Sequence, residues 1–487
     1  KHPLPNRRNP GMNASLTATA PSTRAAKPIQ GLELSEALIR KFDRTGPRYT
    51  SYPTADRFQG KYPASAYLAH LRARAAASSP PPLSVYVHLP FCESLCYFCA
   101  CNKIITTDHG KAASYLEMLY AEMELVGAEL GPQRHTVQLH LGGGTPTFLS
   151  AEELTELMVQ LRRHFEFAPE AELGVEIDPR TVTPQSLELL AGLGFNRTSF
   201  GVQDFNPEVQ KAVNRIQPYE MVRTALQAAR DNGFGSINTD LIYGLPFQTL
   251  DSFSHTLDQL ISLEPDRIAL YNYAHLPGRF KGQRLINAED LPSAETRLQI
   301  FLMSMQRLSD AGYIYIGLDH FAKPGDELNR ARLEHSLHRN FQGYTTRAET
   351  DLIGFGISAI GKIGHAHVQN HHMRKPWAEA IGRGELPTSK GVDLSPEDVM
   401  RRELIMDIMC TVPIDFAAFN ARHGVDFESH FEHELLQLTP HVDAGLIALD
   451  SSGLRVLPKG RLFVRALAMT FDAYLGQPRT ATYSKLI

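Results

Sequence analysis

At 487 residues the chain is longer than one ordinary domain, and 43% hydrophobic beside 21% charged residues is the composition of a folded globular protein with a sizeable core. A net charge of −4 and a pI near 6.6 give no argument for a polyanion partner, so neither nucleic acid nor an anionic membrane is expected as a general partner. No apolar run is long enough for a membrane span, the first 30 residues lack the apolar centre of a secretion signal, and five cysteines in so long a chain suit a reducing compartment; a cytoplasmic protein is expected.

Residues 1–31 are rich in Pro, Ala, Thr, Asn and Arg without periodicity and are expected to form a disordered tail, with Met12 a candidate native start. Ser35 can cap a short helix carrying Leu38, Ile39 and Phe42. The stretch GPRYTSYPTADRF, 46–58, contains two prolines and cannot form a regular helix; it reads as a linker or as a lid displaying Arg48, Tyr49 and Tyr52. Residues 32–83 are accordingly expected to be an N-terminal lid or extension, closed by the stiff proline run 80–82.

Four of the five cysteines then fall within ten residues: Cys92, Cys96 and Cys99 form C-x3-C-x2-C, and Cys101 follows after one more residue. Three thiolates on one short loop suit a cubane iron-sulfur cluster with one iron left open. A structural zinc site is the alternative, although it usually draws four ligands from two separated pairs, and Cys99 and Cys101 are too close to share one ion comfortably.

From residue 84 short apolar runs alternate with amphipathic helices. Strands are expected at 84–89, 137–141, 173–177, 198–201, 237–243 and 267–271. The first helix repeats Tyr115, Leu116, Leu119, Met123, Val126 and Leu130, and the next opens with the capping box Ser150 and Glu153. Six such units predict an α/β fold with a parallel sheet, doubly wound or barrel-like; we favour a partial (β/α)6 TIM-like barrel over 84–370. Beyond it, 371–487 reads as an α-rich C-terminal domain with helices at 399–410 and 427–438, Trp377 near the boundary and Cys410 a core residue.

Chemistry in such folds gathers at the carboxyl ends of the strands. Here those ends carry the cysteine loop, Gly142-Gly143-Gly144, Glu176 with Asp178, Gln203 with Asp204, Asp240, and the segment 271–277. The glycine run lacks the Lys-Ser/Thr of a nucleotide loop; its backbone N–H groups beside Glu176 can hold a zwitterionic amino-acid moiety, with a plain tight turn as the alternative.

A C-x3-C-x2-C loop after the first strand, with a glycine motif after the second, resembles the radical S-adenosylmethionine (SAM) superfamily. Within it, PRYTSYPTA, YVHLPFC, LCYFCACNK, LHLGGGTPT, VEIDPR, FNRTSFGVQDFN, VNRIQ, DLIYGLPFQT, YNYAHLP, LHRNFQGYTT and GFGISAIGKIG resemble the oxygen-independent coproporphyrinogen III oxidase family, from about residue 34 to 487. The resemblance implies that Cys92, Cys96 and Cys99 bind a 4Fe-4S cluster whose open iron chelates a first SAM, flanked by Tyr86, Gly143, Glu176 and Ile360. It implies a second SAM beside Phe98, Gly144, Thr145, Gln203, Arg215, Asp240 and Ala274. It further implies a 5'-deoxyadenosyl radical that takes a hydrogen from a propionate β carbon, so that two propionates of coproporphyrinogen III become vinyls and protoporphyrinogen IX results.

By the same resemblance, His88 takes an electron or proton role beside the cluster, Phe341 and Gln342 face the substrate, and Cys101 is a substrate-side residue and not a ligand. Arg48, Lys103, Arg215 and Arg339 are the candidate partners of the propionates by motif position. A flavodoxin- or ferredoxin-like electron donor, an unidentified acceptor and a monomeric state complete the expectation. The rival is a haem-binding chaperone on the same barrel, against which Cys101, PRYTSYPTA and NFQGYTT argue.

Overall fold

The computed structural model describes residues 36–348 and 350–476; the expected tail and the Ser35 cap lie outside the described residues. Strands β1 (Leu83–Leu89), β2 (His135–Gly143), β3 (Glu166–Ile177), β4 (Arg197–Gln203), β5 (Ser236–Tyr243) and β6 (Arg267–Asn272) lie side by side in chain order, each parallel to the next. All six expected strands are present. In β1 all residues but Tyr86 are buried, as a parallel strand covered on both faces requires.

Helices α1 (Gly110–Leu130), α2 (Ala151–His164), α3 (Pro184–Gly192), α4 (Tyr219–Asp231), α5 (Leu250–Ser262) and α6 (Ala294–Asp310) alternate with these strands. The apolar stripe of α1 is buried as its periodicity predicts, and α2 starts with the capping box of Ser150 and Glu153.

The sheet does not stop at six strands. A further parallel strand, β7 (Asp351–Phe355), pairs with β1 on the other side, and antiparallel strands β8 (Ile360–Ile363), β9 (Ala366–Asn370) and β10 (Thr388–Asp393) continue that edge. With an antiparallel pair outside β6 and the two-residue strand Gln59–Gly60 at the far edge, the described residues form a thirteen-stranded mixed sheet. The α/β class holds; the sheet is wider than the strand count read from sequence, and it runs on past residue 370.

Two contacts tie the added edge to β1. Glu122 on α1, buried, accepts hydrogen bonds from Gly356 N at 2.9 Å, Asn370 Nδ2 at 2.6 Å and Trp377 Nε1 at 3.0 Å. Trp377, on α7 (Arg374–Gly382), stacks on Tyr115, whose hydroxyl donates to the carbonyl of His88 at 2.7 Å.

The C-terminal part is helical, as expected, and includes α8 (Pro396–Cys410) and a small three-stranded sheet. It has its own core around Leu404, Ile408, Phe416, Phe419, Phe427 and Phe431. Tyr49 and Tyr52 are fully buried in that core, which corrects the expectation that the 46–58 segment displays them. Tyr49 donates to Asp472 at 2.8 Å, Tyr52 accepts from the Ala473 N–H at 3.1 Å, and Arg465 donates to the carbonyls of Gly46 and Pro47. The segment is thus a strap laid on the C-terminal part, with aromatic side chains inserted because burial of two tyrosines outweighs exposing them once their hydroxyls are paired. Cys410 is buried in an apolar cluster, as expected of a core residue.

Candidate active site

β1 ends at Leu89, and Pro90 turns the chain into the cysteine loop. Ile104 N bonds to Pro90 O at 2.7 Å and Thr106 N to Cys92 O at 2.9 Å, closing the loop at its base. Two distant segments brace it: Tyr97 N bonds to Val213 O at 3.0 Å, and Gln283 Nε2 donates to Phe98 O at 3.0 Å. Cys92, Cys96, Cys99 and Cys101 therefore line one cavity at the carboxyl ends of the strands, together with Gly143, Gly144, Thr145, Glu176, Gln203, Arg215 and Asp240.

The glycine run lets β2 pass close to this loop. A Cβ on Gly144 would lie 2.6 Å from the backbone of Pro90 and Phe91, and Gly144 N and Thr145 N bond to Leu89 O and Phe91 O, both at 2.8 Å. Gly143 adopts φ +117°, a conformation that L side chains avoid, and aims its N–H at Glu176 Oε2, 3.1 Å away.

Behind this cradle runs a chain of hydrogen bonds. Glu176 Oε1 is 3.1 Å from His140 Nε2, His140 stacks on Tyr86, and the Tyr86 hydroxyl lies 3.0 Å from His88 Nδ1. His88 Nε2 is 2.9 Å from the Asn102 carbonyl, which only accepts; Nε2 is therefore the protonated nitrogen and Nδ1 accepts from Tyr86. Burial pushes the His88 pKa down and keeps it neutral. Both ring nitrogens are hydrogen-bonded, which ties the end of β1 to the loop at Asn102.

The electrostatics favour anions at defined points. Burial alone would raise the Glu176 carboxyl, but the hydrogen bond and charge of His140 outweigh it. Burial would likewise raise Asp178, which the guanidiniums of Arg215 and Arg180 hold below the usual range through contacts of 2.8 and 2.7 Å. Asp240 is different: burial, helped by the charge of Glu176, pushes it to about 6 despite hydrogen bonds from Asn238 and Ser199.

The donor set fits an iron-sulfur cluster. Arg180 Nη2 and Arg215 Nη1 lie 3.5 and 3.6 Å from Cys96 Sγ. A hydrogen bond from Cys101 lowers the Cys99 thiol against the effect of burial, and Lys103 adds to it. Burial pushes the half-buried Cys92 thiol up to about 12. Cys92, Cys96 and Cys99 stand at separate points of one cavity wall, and a cluster takes one thiolate per iron.

Comparison with known proteins agrees with this geometry. The Radical SAM superfamily model matches residues 86–260, and the HemN C-terminal domain model matches 394–463. The oxygen-independent coproporphyrinogen III oxidase of Pseudomonas aeruginosa is 46% identical over 92% of this chain and 98% of its own length. The chain belongs to the oxygen-independent coproporphyrinogen III oxidase family. Its relative from Escherichia coli K12 is 45% identical over 94% of this chain and 100% of that one. The solved Escherichia coli coproporphyrinogen III oxidase, described as a radical SAM enzyme, superposes with a TM-score of 0.87 at 43% identity over 92% of this chain and 100% of that chain.

Not every residue singled out by family motif sits in the cysteine cavity. Phe98, Gly143, Gly144, Thr145, Glu176, Gln203, Arg215 and Asp240 do. Ala274 lines a neighbouring cavity with Tyr243, Asn272 and Arg297. Ile360 packs near Phe58 and Phe341, and Phe341 opens on a third cavity with Arg339 and His367. Gln342 instead lines the sheet interior with His140, Tyr271 and His320, a space that meets the cysteine cavity at Glu176, Ser199 and Asp240. Lys103 also lines the cysteine cavity and donates to Cys99 O at 2.9 Å.

Sequence reasoning missed Arg180, His140 and His320, which line these cavities. Arg180 follows Asp178 in the VEIDPR motif, which is the signal that points to it.

Proposed function

We propose that this chain oxidatively decarboxylates two propionates of coproporphyrinogen III to vinyls, giving protoporphyrinogen IX. The observation that carries the reading is the single cavity that joins Cys92, Cys96 and Cys99 to the Gly143–Glu176 cradle and opens into the sheet interior. A 4Fe-4S cluster with SAM supplies the one-electron chemistry that removes a hydrogen atom from an unactivated carbon. Cys92, Cys96 and Cys99 would hold the cluster, and Glu176 is oriented to accept from an amine. Arg215 and Arg180 balance the charge of Asp178 and lie against Cys96, and His88, locked by Tyr86 and Asn102, keeps the loop in register.

The finer reading is as follows. Two SAM molecules bind, the second against Phe98, Gly144, Thr145, Gln203, Arg215, Asp240 and Ala274, in a catalytic partial (β/α)6 barrel between an N-terminal extension and an α-rich C-terminal domain. Phe341, Gln342 and Cys101 face the substrate. The protein works in the cytoplasm as a monomer and receives electrons from a flavodoxin- or ferredoxin-like carrier.

The test is anaerobic turnover. Reconstituted, reduced protein given SAM and coproporphyrinogen III should release carbon dioxide and methionine, and Cys96→Ala should do neither. Wild-type protein that cleaves SAM but leaves coproporphyrinogen III untouched would refute the assignment.

A further inference from the structure

Arginines adjoin the Tyr271, His320 and Tyr344 side chains that line the interior. Arg48, Arg339, Arg461 and Arg465 gather round Tyr315, Tyr344 and His320. Arg339 lies over Tyr344 at 5.0 Å, Arg461 over Tyr315 at 5.5 Å and Arg48 over Tyr271 at 5.7 Å. Arg48 pairs with Asp319, and Arg465 holds the strap carbonyls. The other two are left incomplete. Arg339 and Arg461 are 9% and 7% exposed, and Nε and Nη1 of the first and Nε and Nη2 of the second are buried without a hydrogen-bond partner among the described residues.

This is a costly arrangement of buried charge. Buried guanidinium N–H groups without acceptors forgo their hydration, and the like charges of Arg48 and Arg339 act on each other and on Arg465. Oxygen anions would relieve both problems. Arg339 lines a cavity with Phe341, Arg347, Lys362 and Thr345, and Thr345 also borders the interior space that includes Asp240 and Glu176.

We infer that this arginine cluster holds the carboxylates that the reaction leaves intact. The inference rests on the function proposed above. A propionate that departs as carbon dioxide must surrender its charge, and a guanidinium paired to it would stabilise the starting state more than the transition state. A propionate that survives gains from the same pairing throughout. The acidic and cysteine-bearing end of the space therefore suits the reacting arms, and the arginine end suits the two that persist into the product.

Binding of three porphyrins to the reconstituted holoenzyme, followed by fluorescence quenching, tests this. Coproporphyrin III carries all four carboxylates, protoporphyrin IX carries only the retained pair, and the tetraamide of coproporphyrin III carries none. Arg339→Gln should weaken the first two by the same factor, about tenfold, and leave the tetraamide unchanged. Weakening of coproporphyrin III alone would assign Arg339 to a reacting arm and overturn the inference, as would equal affinity of wild type and variant for all three. Should Arg339→Gln not fold, Arg339→Lys, which keeps the charge but loses the fork, and Arg48→Gln, at a partly exposed site, carry the same expectation at smaller amplitude. Wild-type protein that fails to bind coproporphyrin III at all would instead refute the proposed function.

Discussion

Arg215 joins a carboxylate to a cysteine: its Nη1 lies 2.8 Å from Asp178 Oδ2 and 3.6 Å from Cys96 Sγ. Its Nη2 also donates to Gly201 O at 2.7 Å, so one side chain links the ends of β3 and β4 to the cysteine loop. Arg215→Gln leaves Arg180 as the remaining partner of Asp178 and should cost about 2 kcal/mol, measured by denaturant unfolding of the apo protein. It should also make the reconstituted cluster harder to reduce, because a positive charge beside one of its thiolates is gone. An unshifted potential in a redox titration would show that Arg215 acts on the fold alone.

The cysteines should separate cleanly by composition. Cys92→Ser, Cys96→Ser and Cys99→Ser should each lose most iron and acid-labile sulfide after anaerobic reconstitution, whereas Cys101→Ser should retain both and lose turnover. Iron and sulfide assays decide it. Loss of iron in Cys101→Ser to the level of the other three would make Cys101 a ligand.

Gly144 has no room for a methyl group, since the neighbours at 2.6 Å are backbone atoms that cannot rotate away. Gly144→Ala should destabilise the protein by about 2 kcal/mol and weaken SAM binding, because the glycine run and the cysteine loop must move apart. Thermal unfolding and calorimetric titration with SAM report the two effects. A Gly144→Ala protein of wild-type stability and affinity would mean the two backbones are not held together in solution.

His320 gives the interior a pH signature. Burial, reinforced by Arg339, Arg48 and Arg267, pushes its pKa to about 3. The unfolded chain takes up this proton near pH 6.5 and the folded chain does not, so stability falls as pH drops below 6.5. At pH 5 the loss from this group is about 2 kcal/mol. Urea unfolding of wild type and His320→Gln at pH 5 and pH 7 isolates it: the variant should lose less stability on acidification. Equal losses would place the titration elsewhere.

Local signals carried much of this structure. The six parallel strands, the α1 stripe and the α2 capping box follow from periodicity and caps, and the cysteine spacing points to its cofactor without any tertiary knowledge. What stayed hidden depends on long-range pairing. β7 is five residues long and acquires its meaning only beside β1. Tyr49 and Tyr52 look displayed in a proline-rich stretch because the core that covers them, around Leu404 and Phe427, lies hundreds of residues away. Arg461 and Arg465 sit in ordinary helical sequence, and nothing nearby distinguishes a buried guanidinium from one facing water.

Trp377 is the chain's one tryptophan, and it stacks 4.8 Å from Tyr115, whose hydroxyl anchors β1 one residue before its end. Nature has thereby left a single indole chromophore at the joint between the cysteine-bearing strand and the outer sheet edge. Its emission can follow assembly of that joint in unlabelled protein, with iron-sulfur absorption acting as the quencher, so that folding and cofactor insertion become separable in one optical trace.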